Sequence, residues 1–367
     1  MKHIDEYRDR ELVEKLVQKI KKEVSGQWNI MEVCGGQTHS IMKYNLLQLL
    51  PSEISLIHGP GCPVCVTPVE MIDHAITLAR MDQVILTSFG DMLRVPGSQS
   101  DLLSEKAAGA DIRMVYSPLD ALDLAKSNPG KEVVFFAVGF ETTAPAVAMT
   151  IQQARIRKLK NFSVLVSHVL VPPAIEALLS SEDHQIDAFL AAGHVCAIMG
   201  TEEYEPIAEK HAIPIVITGF EPVDILLGIS YAVEMLEQGR YGVYNAYSRI
   251  VKLQGNRKAR GLLKEVFDPG ERVWRGIGPI PSSGFRLSAR YRSLDAAKRF
   301  RLGKVTRADS GSCIAGLILT GKKRPSECVN FGSTCTPERP MGAPMVSTEG
   351  ACAAYYRYDK HERKIRK

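Results

Sequence analysis

The sequence predicts an α/β protein: two Rossmann-like parallel-sheet domains followed by a small, cysteine-bearing C-terminal domain. Three observations carry this prediction. Eight short β-rich runs alternate with helical stretches up to about residue 240. Most of these runs are apolar without interruption, as strands covered on both faces are. After Gly239 the pattern gives way to a basic, Gly- and Pro-bearing region and then to four widely spaced cysteines. With 367 residues, and about 150 residues per domain, two or three domains are expected.

The first element is an amphipathic helix, with Val13, Leu16, Val17, Ile20 and Val24 at helical spacing between charges. The strand runs follow as Ile30 to Val33, Ile54 to Ile57, Val84 to Ser88, Ile112 to Tyr116, Val133 to Val138, Phe162 to His168, Ala188 to Ala191 and Ile213 to Thr218. Helical stretches lie between them, notably Val69 to Arg80, Ala146 to Lys158 and Pro222 to Gln238. The Asn128-Pro129-Gly130 turn marks the expected boundary between the halves, giving domains at 1–128, 129–240 and 241–367. The third opens with a basic helical region from about Asn245 to Phe267. Irregular structure follows over Gly270 to Phe285, and a charged tail, Asp359 to Lys367, closes the chain.

Composition excludes several classes. Hydrophobic residues make up 45% and charged residues 24%, which rules out global disorder. No apolar run approaches the ~20 residues of a membrane-spanning helix. The first twenty residues mix charges of both signs and hold no signal-peptide core, so a cytoplasmic location is expected, with no membrane partner. A net charge of +5 is too small to imply nucleic-acid binding. That charge is unevenly spread. Arg249 to Lys304 carries fifteen Lys and Arg against four Asp and Glu, a solvated face or a dock for an acidic partner.

Eight cysteines in such a chain point to metal or redox chemistry rather than a disulfide framework. Cys62-Pro63-Val64-Cys65 follows a strand and precedes a helix expected to start near Pro68, where the helix dipole and free N–H groups favour a thiolate. The spacing suits a redox pair or a transition-metal site; half of a zinc site would need a second pair, and the chain has no other C-x-x-C. Cys34-Gly35-Gly36-Gln37-Thr38-His39 places a thiol at a strand end beside two glycines. His39 is expected to begin the next helix, so Cys34 and His39 form a candidate iron or zinc site. Cys313, Cys328, Cys335 and Cys352 have 14, 6 and 16 residues between them. That fits no zinc finger and no compact ferredoxin run, but suits a cluster gathered from several loops, with zinc or free thiols as alternatives. Glu349, three residues before Cys352, is a candidate proton donor or acceptor.

The acids Asp91, Glu141 and Glu221 also fall at strand ends, placed for acid–base work, partner binding or helix capping. Cys196 reads as core, and His168 and His194 as structural. Because open parallel sheets bind ligands at their carboxyl edges, these strand-end groups suggest two facing active edges. No G-x-G-x-x-G, P-loop or G-x-S-x-G motif is present, so no nucleotide site is expected.

Several motifs, in order, resemble the HypD family of hydrogenase maturation factors. They are Cys34-Gly-Gly-Gln-Thr-His39, Gly59-Pro-Gly-Cys-Pro-Val-Cys65, Phe89-Gly-Asp-Met-Leu-Arg-Val-Pro-Gly97, Gly139-Phe-Glu-Thr-Thr143, Gly193-His-Val195, Gly219-Phe-Glu-Pro222 and Glu349-Gly-Ala-Cys352. Gln37 stands where many members have His. The resemblance spans essentially the whole chain and implies a role in assembling the Fe(CN)2CO group of [NiFe]-hydrogenases. It implies HypC as a partner and HypE as the cyanide donor, itself supplied with carbamoyl groups by HypF. By similarity, Cys34 holds iron together with a HypC cysteine, and Cys62 and Cys65 are a redox pair beside it. Cys313, Cys328, Cys335 and Cys352 ligate a [4Fe–4S] cluster, which makes the third domain a small iron–sulfur domain. A cluster-dependent thiol–disulfide oxidoreductase would use the same late cysteines and C-x-x-C pair, but leaves Cys34 and His39 unexplained.

Overall fold

The computed structural model describes residues 5–303 and 312–359. Lys304, which ends the basic stretch, and the tail beyond Asp359 lie outside the described residues. Eleven strands are described: β1 (Trp28–Glu32), β2 (Ile54–His58), β3 (Val84–Ser88), β4 (Ile112–Met114), β5 (Glu132–Gly139), β6 (Phe162–His168), β7 (Ala188–Ala192), β8 (Pro214–Thr218), β9 (Gly242–Asn245), β10 (Phe267–Trp274) and β11 (Gly278–Leu287). All eight expected runs are strands, within a residue or two at their ends. Their helices separate them as expected.

Two parallel sheets result. One has the order β2-β1-β7-β8-β9, the other β4-β3-β5-β6. The second sheet is therefore an insertion between β2 and β7 of the first. The boundary expected at Asn128-Pro129-Gly130 falls between β4 and β5, two strands of the same sheet. The reason is pairing across the chain: β1 pairs in register with β7, Ile30 opposite Ala188, so the first two strands belong with the last three.

Residues 241–303 do not stand apart from the two sheets. β9 adds an edge strand to the first sheet. The basic helix is confined to Arg257–Val266. Its Leu263 and Val266 enter the core under the second sheet, together with Phe267 and Phe285. Gly270 to Phe285, expected to be irregular, belongs to the antiparallel β10–β11 hairpin, with a bulge between Gly270 and Arg272. The hairpin is sewn to the end of β6 by the Leu170 N–H, which donates to Ser283 O at 2.8 Å.

The C-terminal cysteine lobe spans both sheets. Met345, Ala353, Ala354 and Tyr355 join the core of the first. Ala343 and Val346 join that of the second. The first helix, Arg10–Glu23, is capped by Asp9, which accepts the Leu12 N–H at 3.0 Å, and buries Val17 and Ile20 in the first sheet's core. An N-cap of this kind contributes about 1 kcal/mol. Among the described residues, no helix is long and apolar enough to cross a membrane.

Candidate functional site

The carboxyl ends of the two sheets meet. Phe140, Val169 and Val171 from the second sheet's edge share one apolar cluster with Cys62, Cys65, Val195 and Cys196 from the first, and Cys34 packs against it. The two expected active edges therefore face one another.

Cys34 caps the helix Gly35–Lys43, with extended backbone (φ −147°, ψ 122°). The helix thus begins at Gly35, and His39, expected to begin it, lies in its middle. The Cys34 loop sits beside the β2 loop because β1 and β2 are parallel neighbours. The contact is tight: the Gly35 N–H donates to Gly61 O at 2.8 Å, and a Cβ on Gly61 would lie 2.2 Å from the Cys34 nitrogen. Only glycine fits there. Cys62 then caps the short helix Pro63–Val66, its Sγ accepting the Cys65 N–H at 3.2 Å. Cys62 and Cys65 are buried and joined by a disulfide. Metal ligation by either sulfur therefore requires the reduced pair.

Half-buried Cys34 has its thiol pushed up to about 12, chiefly by burial and further by the Glu349 and Glu32 charges. Hydrogen bonds from the backbone at Gly36 and Gln37 oppose this. The thiol is protonated at neutral pH, and a bound cation would displace its proton. Glu349 closes over the loop, since a Cβ on Gly35 would lie 2.5 Å from the Glu349 Cβ. Its carboxyl is raised by burial and by Asp91. Cys34 and Glu349 are thus brought together. His39 is directed elsewhere: its Nδ1 lies 3.4 Å from Thr348 O and its Nε2 3.3 Å from the Tyr358 hydroxyl. Gln37 is buried, its Nε2 donating to Ala191 O at 3.2 Å.

The other acids divide sharply. Glu221 is paired with Arg8 at 2.5 Å, and Asp91 lies 3.6 Å from Arg94, which also donates to Val346 O of the cysteine lobe at 2.9 Å. Glu141 is fully buried. One carboxylate oxygen accepts the Val171 N–H at 2.9 Å, and burial raises the group to about 8. His168 is buried and neutral, held near 3 by burial, then by the Arg272 charge.

Sequence reasoning missed a buried network beneath Cys34. Glu32 accepts the Cys34 N–H at 2.9 Å, lies 2.7 Å from His58 Nδ1, and also accepts from Thr38 Oγ1. The available signal was a carboxylate within the otherwise apolar run Ile30 to Val33, two residues before a cysteine. His194, read as structural, stacks on Phe220 with ring centroids 3.7 Å apart. Phe220 in turn lies where a Cβ on Gly36 would be 3.0 Å away. Cys196 is fully buried, as expected of a core residue.

The four late cysteines gather in one place. The Cys352 thiol is raised well above the ordinary range, first by burial and then by Cys313, Cys335 and Cys328. The Met341 N–H donates to Cys335 Sγ at 3.4 Å. A Cβ on Gly342 would lie 2.3 Å from Cys313 Sγ, so glycine clears the space around that sulfur. Among the described residues, no three Cys, His, Asp or Glu side chains close on a point as a single ion requires. Four thiols, an N–H···S bond and a glycine clearance fit a polynuclear cluster gathered from several loops.

A family model described as "HypD: Hydrogenase formation hypA family" matches residues 11–359. The chain is 46% identical over 376 residues to the hydrogenase maturation factor HypD of Rhizobium leguminosarum bv. viciae, covering 100% of this chain and 98% of that one. It is 45% identical over 370 residues to HypD of Escherichia coli, covering 99% of each chain. Against HypD of Rhodobacter capsulatus the identity is 45% over 370 residues, with 98% of each covered.

Proposed function

The chain belongs to the HypD family of hydrogenase maturation factors, and from that premise we propose that, with HypC, it is the scaffold on which the Fe(CN)2CO group is assembled. The observation that carries this reading is the packing of the Cys34 loop against the Cys62–Cys65 segment, in the cleft between the two sheet edges. One thiol, Cys34, is left to hold the iron as cargo, and the cysteine pair beside it is left to change oxidation state.

Each group then has a chemical task. Cys34 binds the iron through sulfur after losing its proton, and a soft thiolate suits iron that must accept cyanide and CO. Glu349, over the Cys34 loop and with its carboxyl raised, takes that proton. Cyanide arriving as a thiocyanate on HypE leaves sulfur only with two electrons and two protons, giving a thiol and HCN. The reduced Cys62–Cys65 pair supplies both and closes to the disulfide. Cys313, Cys328, Cys335 and Cys352 would hold a [4Fe–4S] cluster, which would supply the electrons for restoring that pair. His39, bonded to Thr348 and Tyr358, serves to hold the 348–358 segment against the Cys34 helix.

The test is an infrared spectrum of the protein produced with HypC and purified without oxygen. Metal-bound cyanide and CO bands that disappear in Cys34→Ser are the expected result. Iron and labile sulfide without those bands, even with HypE present, would overturn the scaffold. That outcome would leave the thiol–disulfide oxidoreductase, which the formed disulfide also favours.

A further inference from the structure

Gly35 and Gly36, the two residues after Cys34, each face a different wall. At Gly35 the wall is Glu349, whose Cβ would lie 2.5 Å from an added Cβ. At Gly36 it is Phe220. A Cβ added there would lie 3.0 Å from the Phe220 Cδ1, 3.2 Å from its Cε1 and 3.9 Å from Cys34 Sγ. The ring edge and the sulfur therefore border the same small notch, which is open because residue 36 has no side chain. The ring is held firmly. His194 stacks on it with centroids 3.7 Å apart, and Tyr247 meets it nearly at right angles with centroids 6.4 Å apart. Tyr247 occupies the space left by two more glycines, since an added Cβ would lie 2.7 Å from its ring at Gly193 and 2.6 Å at Gly219. Arg249 lies 4.4 Å from the centre of the Tyr247 ring and 3.6 Å from that of Tyr7. Its two Nη atoms donate to the buried carboxylate of Asp224 at 2.6 and 2.7 Å, a fork that allows one orientation. Three glycines from three separate motifs, Gly36, Gly193 and Gly219, thus make room for one aromatic ladder ending at Cys34.

We propose that Phe220 is a specificity-determining wall of the Cys34 site: across the notch at Gly36 it limits what can join the Cys34 sulfur, or a metal on it, to groups a few atoms in size. The inference rests on the reading of Cys34 as the iron-holding thiol, and it favours small linear ligands such as cyanide and CO on that side of the cargo. A close-packed carbon wall selects by size because a larger group must displace atoms that have nowhere to go. One added methylene in such a pocket is discriminated by about 10- to 200-fold.

The experiment measures size selection at the sulfur itself, without iron. The full-length protein, purified without oxygen, is alkylated with iodoacetamide or with its N-tert-butyl analogue. Both form the same carbon–sulfur bond as iodide leaves, so they differ in bulk alone. Modification of the Cys34 peptide is followed by mass spectrometry. The bulky reagent is expected to react at least about tenfold more slowly relative to iodoacetamide than it does with the unfolded chain, and Phe220→Ala to remove most of that difference. Gly36→Ala, which fills the notch, should slow iodoacetamide about tenfold, and much less when combined with Phe220→Ala. That dependence separates a wall at the sulfur from a general loosening of the fold. An unchanged size ratio in Phe220→Ala overturns the proposal, as does a Gly36→Ala effect of the same size with and without the ring. Unfolding of Phe220→Ala would show as modification of the buried Cys196, and Phe220→Leu then decides by the same ratio. A protein that keeps the size ratio but shows no metal-bound cyanide or CO with HypC and HypE overturns the iron reading and upholds the wall.

Discussion

Replacing Gly61 by Ala puts a methyl group 2.2 Å from the Cys34 nitrogen, 2.4 Å from its Cα and 2.4 Å from the Val33 carbonyl carbon. All three are backbone atoms, so no side chain can swing aside. Ordinary contact starts near 3.4 Å, so the two loops must part by about 1.2 Å. That separation breaks the 2.8 Å bond from the Gly35 N–H to Gly61 O. Overpacking of this kind costs about 1–3 kcal/mol of stability. A displacement of about 1 Å in a positioned reacting pair costs on the order of 10²-fold in rate.

Both numbers are measurable in the same protein. Urea unfolding should show the lost stability, and infrared bands should show cyanide loading slowed on the order of 10²-fold. Gly130→Ala is the matched control, since a Cβ there meets nothing within 4 Å. If Gly61→Ala unfolds and loads like its parent, the two loops are not held in register by this contact. A variant that loses stability but loads at the parental rate would separate folding from positioning. It would then refute the claim that the spacing of Cys34 and the disulfide segment matters to the chemistry.

Three further predictions follow from the same geometry. Cys65→Ala should abolish cyanide loading while iron and labile sulfide survive; equal loading by infrared would refute the relay. Glu141 titrates near 8 in the fold, against 4.5 for a free carboxyl. Its share of stability is therefore complete below about pH 4.5 and lost as pH rises through 8, and Glu141→Gln should flatten that decline in melts taken across the window. Glu237 has the opposite sign. Its carboxyl is held near 2, first by the Gly26 N–H and then by Ser25 and Trp28. Its contribution is present above pH 4.5 and lost as pH falls toward 2, and an unchanged acid limb in Glu237→Gln melts would refute it.

The strands were legible because each is written locally: Val133 to Val138 is apolar at every position. The helix expected to start near Pro68 is there, as Val69–Ala79, but the short helix Pro63–Val66 capped by Cys62 was not foreseen, although Pro63 directly after Cys62 favours a helix start. Sheet membership was not legible. It depends on Ile30 meeting Ala188, a pairing no window along the chain contains. The hairpin was hidden differently: Pro269, Gly270 and the bulge interrupt the alternation of β10, so its buried ends, Phe267 and Trp274, do not register as one strand. At Cys34, two glycines that disfavour a helix interior concealed a helix beginning directly after the cysteine. Placing the start at His39 followed from propensity, and the Gly61 contact overrode it. In the cysteine lobe the spacing was visible, but the part played by Gly342 was not, because its clearance for Cys313 exists only once the loops have folded.

The insertion topology explains why the chemistry collects where it does. The chain leaves the first sheet after β2, through Cys62 and Cys65, and returns after β6, through Val169 and the helix Val171–Leu179. Both crossings are pinned at the cleft. Gly61 lies against Cys34 on the way out, and on the way back Glu141 holds the Val171 N–H at 2.9 Å while Leu170 is tied to the hairpin. Two sheets joined end to end would share one crossing, and the C-x-x-C segment would belong to one of them. As an insertion, the disulfide segment is packed by both: Cys62 and Cys65 share a cluster with Phe140 from one edge and Val195 from the other. Any change at that pair is therefore felt where the two edges meet, beside Cys34. The site needs the two sheets in register, and the same contacts that close their shared core supply it.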